Sequence, residues 1–453
     1  MSIFTQLKNR GARLITISAY GNKLIYHFNV KGKLENVEVP AGEARSVAKI
    51  FPNAWIYEKE LVERWSVKLK IEKRQNGRGV EIPFGPYHPA LEEPEYFQIF
   101  LEGERIVDVD FELGYNYREI EKKVTTFTWP KAIILMGRIC GICSSAHTQA
   151  FAYAVERING IDVPRRARFL RTLGAELERI HSHLLWLGLI GENAGFETLF
   201  MLAWGAREHA LNMLERFAGK RVHYNYMAYG GVSRDVSDED VNFMKRELKE
   251  LSRKYREVEE VALGSELLED RLKGVGKLTK EQAIEYGVVG PTARASGIEE
   301  DTRRSSPYSA YEEVDFEIPT EHTGDAYARM LVRMREVWES IHILEQVMDK
   351  LPGGKVQSVK TVMVSKQGKA GSVVEAPRGE NFHYVVAGKQ APKFSRVRPP
   401  TFTNLAAMPV MLRNHWLSDV PVVIYSIDPC FACTDRVLVV DLDKGEVRRV
   451  EFD

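Results

Sequence analysis

Hydrophobic and polar positions alternate through the first 70 residues. RLITISAY and KLIYHFNVKGKLENVEV read as strands turning at Gly21-Asn22 and Gly32, and GEARSVAKIF reads as a short helix after them. The charged, glycine-containing KRQNGRGVE (Lys73 to Glu81) reads as a link to the main body. It divides the chain into a small α+β domain over 1–72, a linker over 73–81 and a main domain over 82–453. YFQIFLEGERIVDVDFELGY then predicts a hairpin turning near Gly103.

From Pro164 the period lengthens. Leu170, Leu173, Leu177, Ile180, Leu184 and Leu187 step by three and four, which is the seam of a helix packed on another helix. SDEDVNFMKRELKELSRKYREVEEV opens with acids suited to a helix N-terminus and predicts a mostly solvated helix. Another helix runs from about Asp325 to Lys350, with Tyr327, Met330, Met334, Trp338, Ile341, Leu344 and Met348 on one face; Leu351-Pro352-Gly353-Gly354 stops it. RVLVVDLDKGEVRRVEF reads as a hairpin about Asp443-Lys444-Gly445. The predicted fold class is α+β, mainly helical: a central bundle of long helices with strand-rich flanks.

Composition narrows the function classes. With 63 basic and 63 acidic side chains among 453 residues, no nucleic-acid footprint is expected. Four cysteines are too few for a secreted disulfide framework, which argues for a reducing compartment. The N-terminus lacks a signal-type apolar core, and the most apolar window, WPKAIILMGRICGIC, carries Lys131 and Arg138 and is too short to span a bilayer. A cytosolic or peripheral chain is expected.

All four cysteines fall in two C-x-x-C pairs, Cys140 and Cys143 in RICGICSSAH, Cys430 and Cys433 in DPCFACTDR. Two cysteines at this spacing present both sulfurs to one centre, and thiolates select soft or borderline metals. The pairs lie at opposite ends of the main body, so they meet only if the whole body folds around them. Spacing leaves four readings open: a four-thiolate zinc site, an iron–sulfur cluster, two unconnected buried pairs, or a redox dithiol.

The residues around the cysteines add a resemblance. RICGIC followed by Ser-x-x-His, and the late DPCxxC, resemble the two metal-binding motifs of nickel–iron hydrogenase large subunits. A second motif ending in Thr-Asp-Arg rather than histidine is similar to the energy-converting, membrane-bound group related to the complex I 49 kDa subunit. PFGPYHPALEEPEYF, GYNYREIEK, ELERIHSHLLWLG, GGVSRD, VGPTARASGIEEDTR and GDAYARMLVRMREVWES fit the same superfamily, from about Ile82 to Arg436. FPNAWIYEKELVERWSVKL bears a looser resemblance to the end of the complex I 30 kDa subunit, shortened and fused.

The resemblance implies a nickel–iron centre with carbon monoxide and cyanide on iron. Carried over by position, Cys140 and Cys430 are terminal nickel thiolates, and Cys143 and Cys433 bridge the metals. Heterolytic cleavage of H2 needs an acceptor for each half, which a metal pair beside basic thiolates supplies. Zinc closed by four thiolates offers neither redox change nor an open position. Arg378 in EAPRGENFHY is placed over the metals, where a guanidinium donates to cyanide in a dry pocket; a lone arginine is otherwise a surface ion-pair residue. Thr401 in RPPTFTN is the matching hydroxyl donor, with Thr403 as its competitor. Glu93, chosen from Glu92, Glu93 and Glu95, matches the gate for protons, against the bland reading of a solvated turn. His147 is placed to bond a bridging sulfur or to serve structure. His88 matches a position near the quinone pocket of complex I, while His181 and His183, two apart on a helix, read as structural or interface residues.

Met136-Gly137 departs from relatives that carry a polar or acidic residue before the arginine. The four cysteines leave none for an iron–sulfur cluster in this chain. The resemblance therefore implies a small subunit carrying such clusters, membrane antiporter-like and complex I-like subunits, electrons from ferredoxin or formate, and a peripheral place on the cytoplasmic side of the membrane. A quinone or polysulfide reductase with a modified centre, and a scaffold holding structural zinc, are the alternatives.

Overall fold

The computed structural model describes residues 3–65, 67, 69, 79–116, 118–434, 439–441 and 446–448. The alternating N-terminal segment forms an antiparallel sheet of Arg13–Tyr20, Lys23–Val30 and Lys33–Pro40, in chain order. The helix expected over GEARSVAKIF does not form; a single 3-10 turn, Ala41–Glu43, stands in its place. Glu58, on the Ala54–Trp65 helix, accepts from the Val47 N–H (2.6 Å) and the Ser46 hydroxyl (2.7 Å), which satisfies this backbone without helical bonds.

The N-terminal sheet shares its apolar cluster with the rest of the molecule. Leu14, Ile17, Tyr26 and Phe28 join Phe97 and Phe111 of the second sheet and Phe402, Met408 and Phe431 from the far end of the chain. Arg13 pairs with Glu380 at 2.6 Å and Arg396 with Glu60 at 2.5 Å across the same junction. Residues 73–78 of the predicted linker lie outside the described residues; Val80–Phe84 already belongs to the second sheet, with the expected hairpin Tyr96–Glu102 and Arg105–Glu112.

The predicted seam lies on the central helix, Arg165–Asn193, but this helix is buried on every side rather than along one face. Its polar positions pair internally: Arg171 with Glu156 (2.5 Å), Glu176 with Arg303 (3.1 Å) and His183 with Glu336 (2.8 Å). Arg294 extends the network to Glu336 (2.7 Å) and Glu375 (2.9 Å). Charges this deep persist only when paired and hydrogen-bonded. Helices Glu197–Ala218 and Ala326–Asp349 flank the central one. Asp238–Leu263 lies outside them, opened by a Ser237/Asp240 capping box and seated through Met244, Leu248, Leu251 and Tyr255.

A third antiparallel sheet, Gly368–Ala376, Gly379–Ala387 and Pro392–Arg398, completes the body. Val439–Asp441 pairs with Glu446–Arg448 near the end, and the predicted turn at Asp443-Lys444-Gly445 lies outside the described residues. No described helix is long and apolar enough to cross a membrane.

Candidate metal centre

The first cysteine pair lies between two helices, Trp129–Met136 and Ser144–Asn159, with Cys143 as N-cap of the second. Glu178 of the central helix accepts from the N–H groups of Ser145 (2.6 Å) and Ala146 (2.9 Å), donors that a helix start leaves unpaired. The second pair follows the helix Val420–Ser426. Asp428 takes a left-handed φ of 57°, and Phe431–Thr434 winds a 3-10 turn.

These two loops converge. All four Sγ atoms are buried and lie within 4.8 Å of one another. Cys140 is 3.2 Å from Cys430, Cys430 is 3.1 Å from Cys433, and Cys143 is 3.8 Å from Cys433. The N–H groups of Ile142 and Cys143 point at Cys140 Sγ from 3.3 and 3.2 Å. Burial raises the Cys140 thiol, but hydrogen bonds from the other three sulfurs and the Arg378 charge bring it well below its ordinary value; Cys143, Cys430 and Cys433 are pushed up. Four thiols this close cannot all ionise alone in a dry cavity, so the donor set fits a cation that holds all four as thiolates. Asp428 Oδ2, buried beside them without a hydrogen-bond partner among the described residues, fits the same conclusion.

Arg378 occupies the two-residue turn between Gly368–Ala376 and Gly379–Ala387. Gly290 and Gly379, both at positive φ, meet backbone to backbone there; a Cβ on Gly290 would lie 2.4 Å from the Arg378 carbonyl oxygen. The VGPTARASG stretch thereby locks the arginine turn. Arg378 donates from Nε to Asp428 O (2.7 Å), from Nη2 to Asp428 Oδ1 (2.6 Å) and from Nη1 to Ser182 Oγ (3.0 Å). Burial favours losing its charge, but Asp428 and then Cys430 outweigh that and raise its pKa.

Thr401 and Thr403 separate. Thr401 Oγ1 accepts from the Cys430 N–H at 3.1 Å, whereas the Thr403 hydroxyl bonds that of Tyr57 at 2.8 Å. Glu93 Oε2 accepts from the Ala432 N–H at 2.7 Å, inside the second C-x-x-C. Burial raises its pKa against the pull of that N–H, and Cys140 adds to the rise. Glu95 also meets this turn, Thr434 Oγ1 lying 3.3 Å from its Oε2. The Glu92 contact with this region is its backbone N–H on the Tyr425 hydroxyl (2.9 Å). His147 places Nε2 at 3.5 Å from Cys433 Sγ, and burial lowers its pKa to about 4.

His181 and His183 point apart: His181 accepts from Arg207 Nε (2.8 Å) and His183 faces Glu336. His88 stacks on Phe84 (3.9 Å) in a surface pocket with Tyr87, Leu91 and Glu92. Sequence reasoning assigned no role to Ser182 or Asp428, nor to Arg118. Arg118 donates to the carbonyls of Arg138 (2.5 Å), Ile139 (2.6 Å) and Ala432 (2.7 Å), lacing the two loops together. Its only signal was its place in GYNYREIEK.

A buried donor set of this kind, gathered from both ends of a body and edged by a carboxyl and an arginine fork, belongs to the thiolate metalloenzymes. Comparison with known proteins narrows the class. The family described as respiratory-chain NADH dehydrogenase, 49 Kd subunit, matches residues 193–369 and 357–436, and nickel-dependent hydrogenase matches 118–188, across the first motif. Membrane-bound hydrogenase subunit alpha of Pyrococcus furiosus is 43% identical over 388 residues, 81% of this chain and 90% of that protein. Carbon monoxide-induced hydrogenase of Rhodospirillum rubrum is 36% identical over 357 residues, 78% of this chain and 99% of that one. Formate hydrogenlyase subunit 5 of Escherichia coli is 35% identical over 373 residues, 82% of this chain but 65% of that protein. The chain belongs to the family of nickel-dependent hydrogenase large subunits and complex I 49 kDa subunits, and is an oxidoreductase of the hydrogenase type.

Proposed function

We propose that this chain is the catalytic subunit of an energy-converting nickel–iron hydrogenase that reduces protons to H2, reversibly, within a membrane-associated complex. The observation that carries the reading is the convergence of Cys140, Cys143, Cys430 and Cys433 at one buried point. The four thiolates would hold the metal pair, Cys140 and Cys430 as ligands of nickel and Cys143 and Cys433 as ligands of both metals. When bound, a nickel–iron pair with carbon monoxide and cyanide on iron supplies the two-electron redox chemistry. Cys430 holds the proton that enters or leaves. Glu93 passes it on: its carboxyl sits on the turn that carries Cys430 and Cys433, and burial lifts its pKa toward the range where transfer runs both ways. Arg378, fixed by Asp428 and Ser182, supplies donors and excludes water over the centre. Thr401 spends its oxygen on the Cys430 N–H, which leaves the hydroxyl hydrogen for cyanide.

Electrons for proton reduction arrive through a small subunit with iron–sulfur clusters, and return that way when H2 is oxidised, since this chain's thiols are all committed. Membrane antiporter-like and complex I-like subunits couple the flow to ion translocation, with ferredoxin or formate as the source, and the chain sits peripherally on the cytoplasmic side. Residues 1–72 form the shortened 30 kDa-like segment, a linker follows from 73 up to the strand that opens at Val80, and the rest is the catalytic domain. Metal analysis of the purified complex, with infrared spectroscopy and an H2-evolution assay, tests this. Nickel and iron with iron-bound diatomic bands are expected; zinc alone, without turnover, overturns the reading in favour of a scaffold.

A further inference from the structure

We infer that His383 is a positioning residue that holds the proton of His147 on Nε2, so that this ring donates a hydrogen bond to Cys433 Sγ. His383 lies in the strand Gly379–Ala387, wholly buried, and its Nδ1 has no hydrogen-bond partner among the described residues. Ser372, its register neighbour, spends its hydroxyl on the Ala150 carbonyl. A buried N–H with no acceptor is rare and costly, whereas a bare ring nitrogen leaves only an acceptor unsatisfied. The His383 proton therefore sits on the other nitrogen, Nε2.

That nitrogen is 3.0 Å from His147 Nδ1. With a hydrogen coming from His383, His147 Nδ1 must accept, and so carries none itself. Asn381 Nδ2, a donor only, lies 3.4 Å from the same atom and repeats the requirement. A neutral imidazole has one N–H. In His147 it is on Nε2, the atom 3.5 Å from Cys433 Sγ. The hydrogens point one way along the row, from His383 to His147 to the sulfur. The opposite polarity leaves a buried N–H orphaned at His383 and sets two donors against each other at Asn381.

One hairpin thus positions two donors toward the centre, Arg378 at its turn and His147 through His383 in its strand. A hydrogen bond draws charge from a thiolate, and such bonds tune the electronics and potential of the metals it holds. The proton placement stands on the two rings; its effect on the metals rests on the function proposed above.

The test is nitrogen NMR of the holoenzyme complex labelled with 15N-histidine, in a diamagnetic state, the His147 signals being assigned by their loss in His147→Gln. The wild type should show a protonated Nε2 and a bare Nδ1 at His147. His383→Gln keeps an N–H donor and should preserve that pattern. His383→Phe keeps a ring without a donor and leaves only the longer Asn381 contact on Nδ1, so it should shift part of the His147 proton to Nδ1, while the iron-bound carbon monoxide band moves to lower wavenumber as the sulfur regains charge. A His147 with its proton on Nδ1 in the wild type overturns the inference, as does an unchanged tautomer with unmoved bands in His383→Phe. If that variant fails to fold, the wild-type tautomer and His383→Gln still decide. Metal content is read separately: zinc in place of nickel and iron sinks the proposed function and leaves the tautomer result to stand or fall by itself.

Discussion

The loop bearing Cys140 and Cys143 runs between two helices, whereas the loop bearing Cys430 and Cys433 follows one short helix and is gripped from a distance. In the first, N–H groups of Ile142 and Cys143 turn onto Cys140 Sγ, Glu178 closes the next helix start and Arg118 holds the Arg138 and Ile139 carbonyls. In the second, Thr401 holds the Cys430 N–H, Glu93 the Ala432 N–H, Arg118 the Ala432 carbonyl and Arg378 the backbone and carboxyl of Asp428. Every one of these is a side chain from another element. The groups assigned to proton transfer and to the metals' surroundings all bear on this second loop. The cysteines aside, the supports of the first loop behave as a scaffold and those of the second as the working side, so substitutions among the second loop's supports should cost chemistry and those among the first loop's should cost stability.

Cys430→Ser presses that division hardest. An oxygen ligand matches nickel poorly and lacks a thiolate's basicity, so nickel retention and H2 evolution should both be abolished. The chain should still fold, because a body of this size buries most of its surface without the metals. Stoichiometric nickel with unchanged turnover in the folded variant would remove Cys430 from its role.

Glu93→Gln comes next. The amide keeps the shape and the bond to the Ala432 N–H but does not ionise. Metals and infrared bands should persist, while H2 evolution and hydrogen–deuterium exchange fall by about 100 to 10,000-fold, the usual contribution of an acid–base group. Glu92→Gln and Glu95→Gln are the controls. Because Glu95 also touches the second loop, a collapse there with a mild effect at Glu93 moves the gate by one contact. Mild effects at all three leave protons another path.

Legibility followed the same division. Elements that depend on local pattern were readable: the 3–4 spacing of Leu170 to Leu187 gave a helix, Gly103 a hairpin, and the acids Asp238 to Asp240 a helix start. Spacing left the four cysteines with four readings, and the residues around them supplied the resemblance that assigns them to one centre. What failed depends on tertiary partners. GEARSVAKIF lost its helix because Glu58 takes its N–H, and the polar face of the central helix is buried because its charges find partners, some of them more than a hundred residues away, as Glu176 does in Arg303. Asp428, Ser182 and His383 act through contacts that no local spacing encodes. Only surrounding motifs pointed to Arg378, Glu93 and Thr401.

Arg378→Lys should keep the metals but slow turnover by about 10 to 100-fold, the usual cost of losing a partner just outside a metal's ligands. Lysine retains the charge but cannot serve Asp428 O, Asp428 Oδ1 and Ser182 from a planar fork. Equal H2 evolution at matched metal content would make Arg378 an ordinary buried ion pair.

The threonines sharpen the contrast within one short helix. Thr401→Val leaves the buried Cys430 N–H without its acceptor and should shift the iron-bound cyanide bands and lower turnover several-fold, at a cost of about 1–3 kcal/mol. Thr403→Val breaks only the bond to Tyr57 and should cost about 1 kcal/mol with bands and turnover unmoved. Identical infrared spectra in the two variants would place neither hydroxyl at the centre.

The smallest effect is expected at the scaffold side. Glu178→Gln keeps one acceptor for the Ser145 and Ala146 N–H groups, and the loss of the full cap should cost about 1 kcal/mol, with turnover nearly unchanged. Its signature is the pH dependence. Burial pushes the Glu178 carboxyl up to about 8 from an ordinary 4.5, against the pull of the two N–H donors. Between those values the folded chain holds a proton that the unfolded chain has released, so rising pH removes stability across that window. Urea midpoints of the wild type should therefore fall between pH 5 and pH 8, and the part of that slope due to Glu178 should vanish in the glutamine variant. Parallel slopes would mean that the two N–H donors outweigh burial and keep the carboxylate charged throughout. A large loss of turnover would instead draw the first loop into the chemistry and end the division between scaffold and working side.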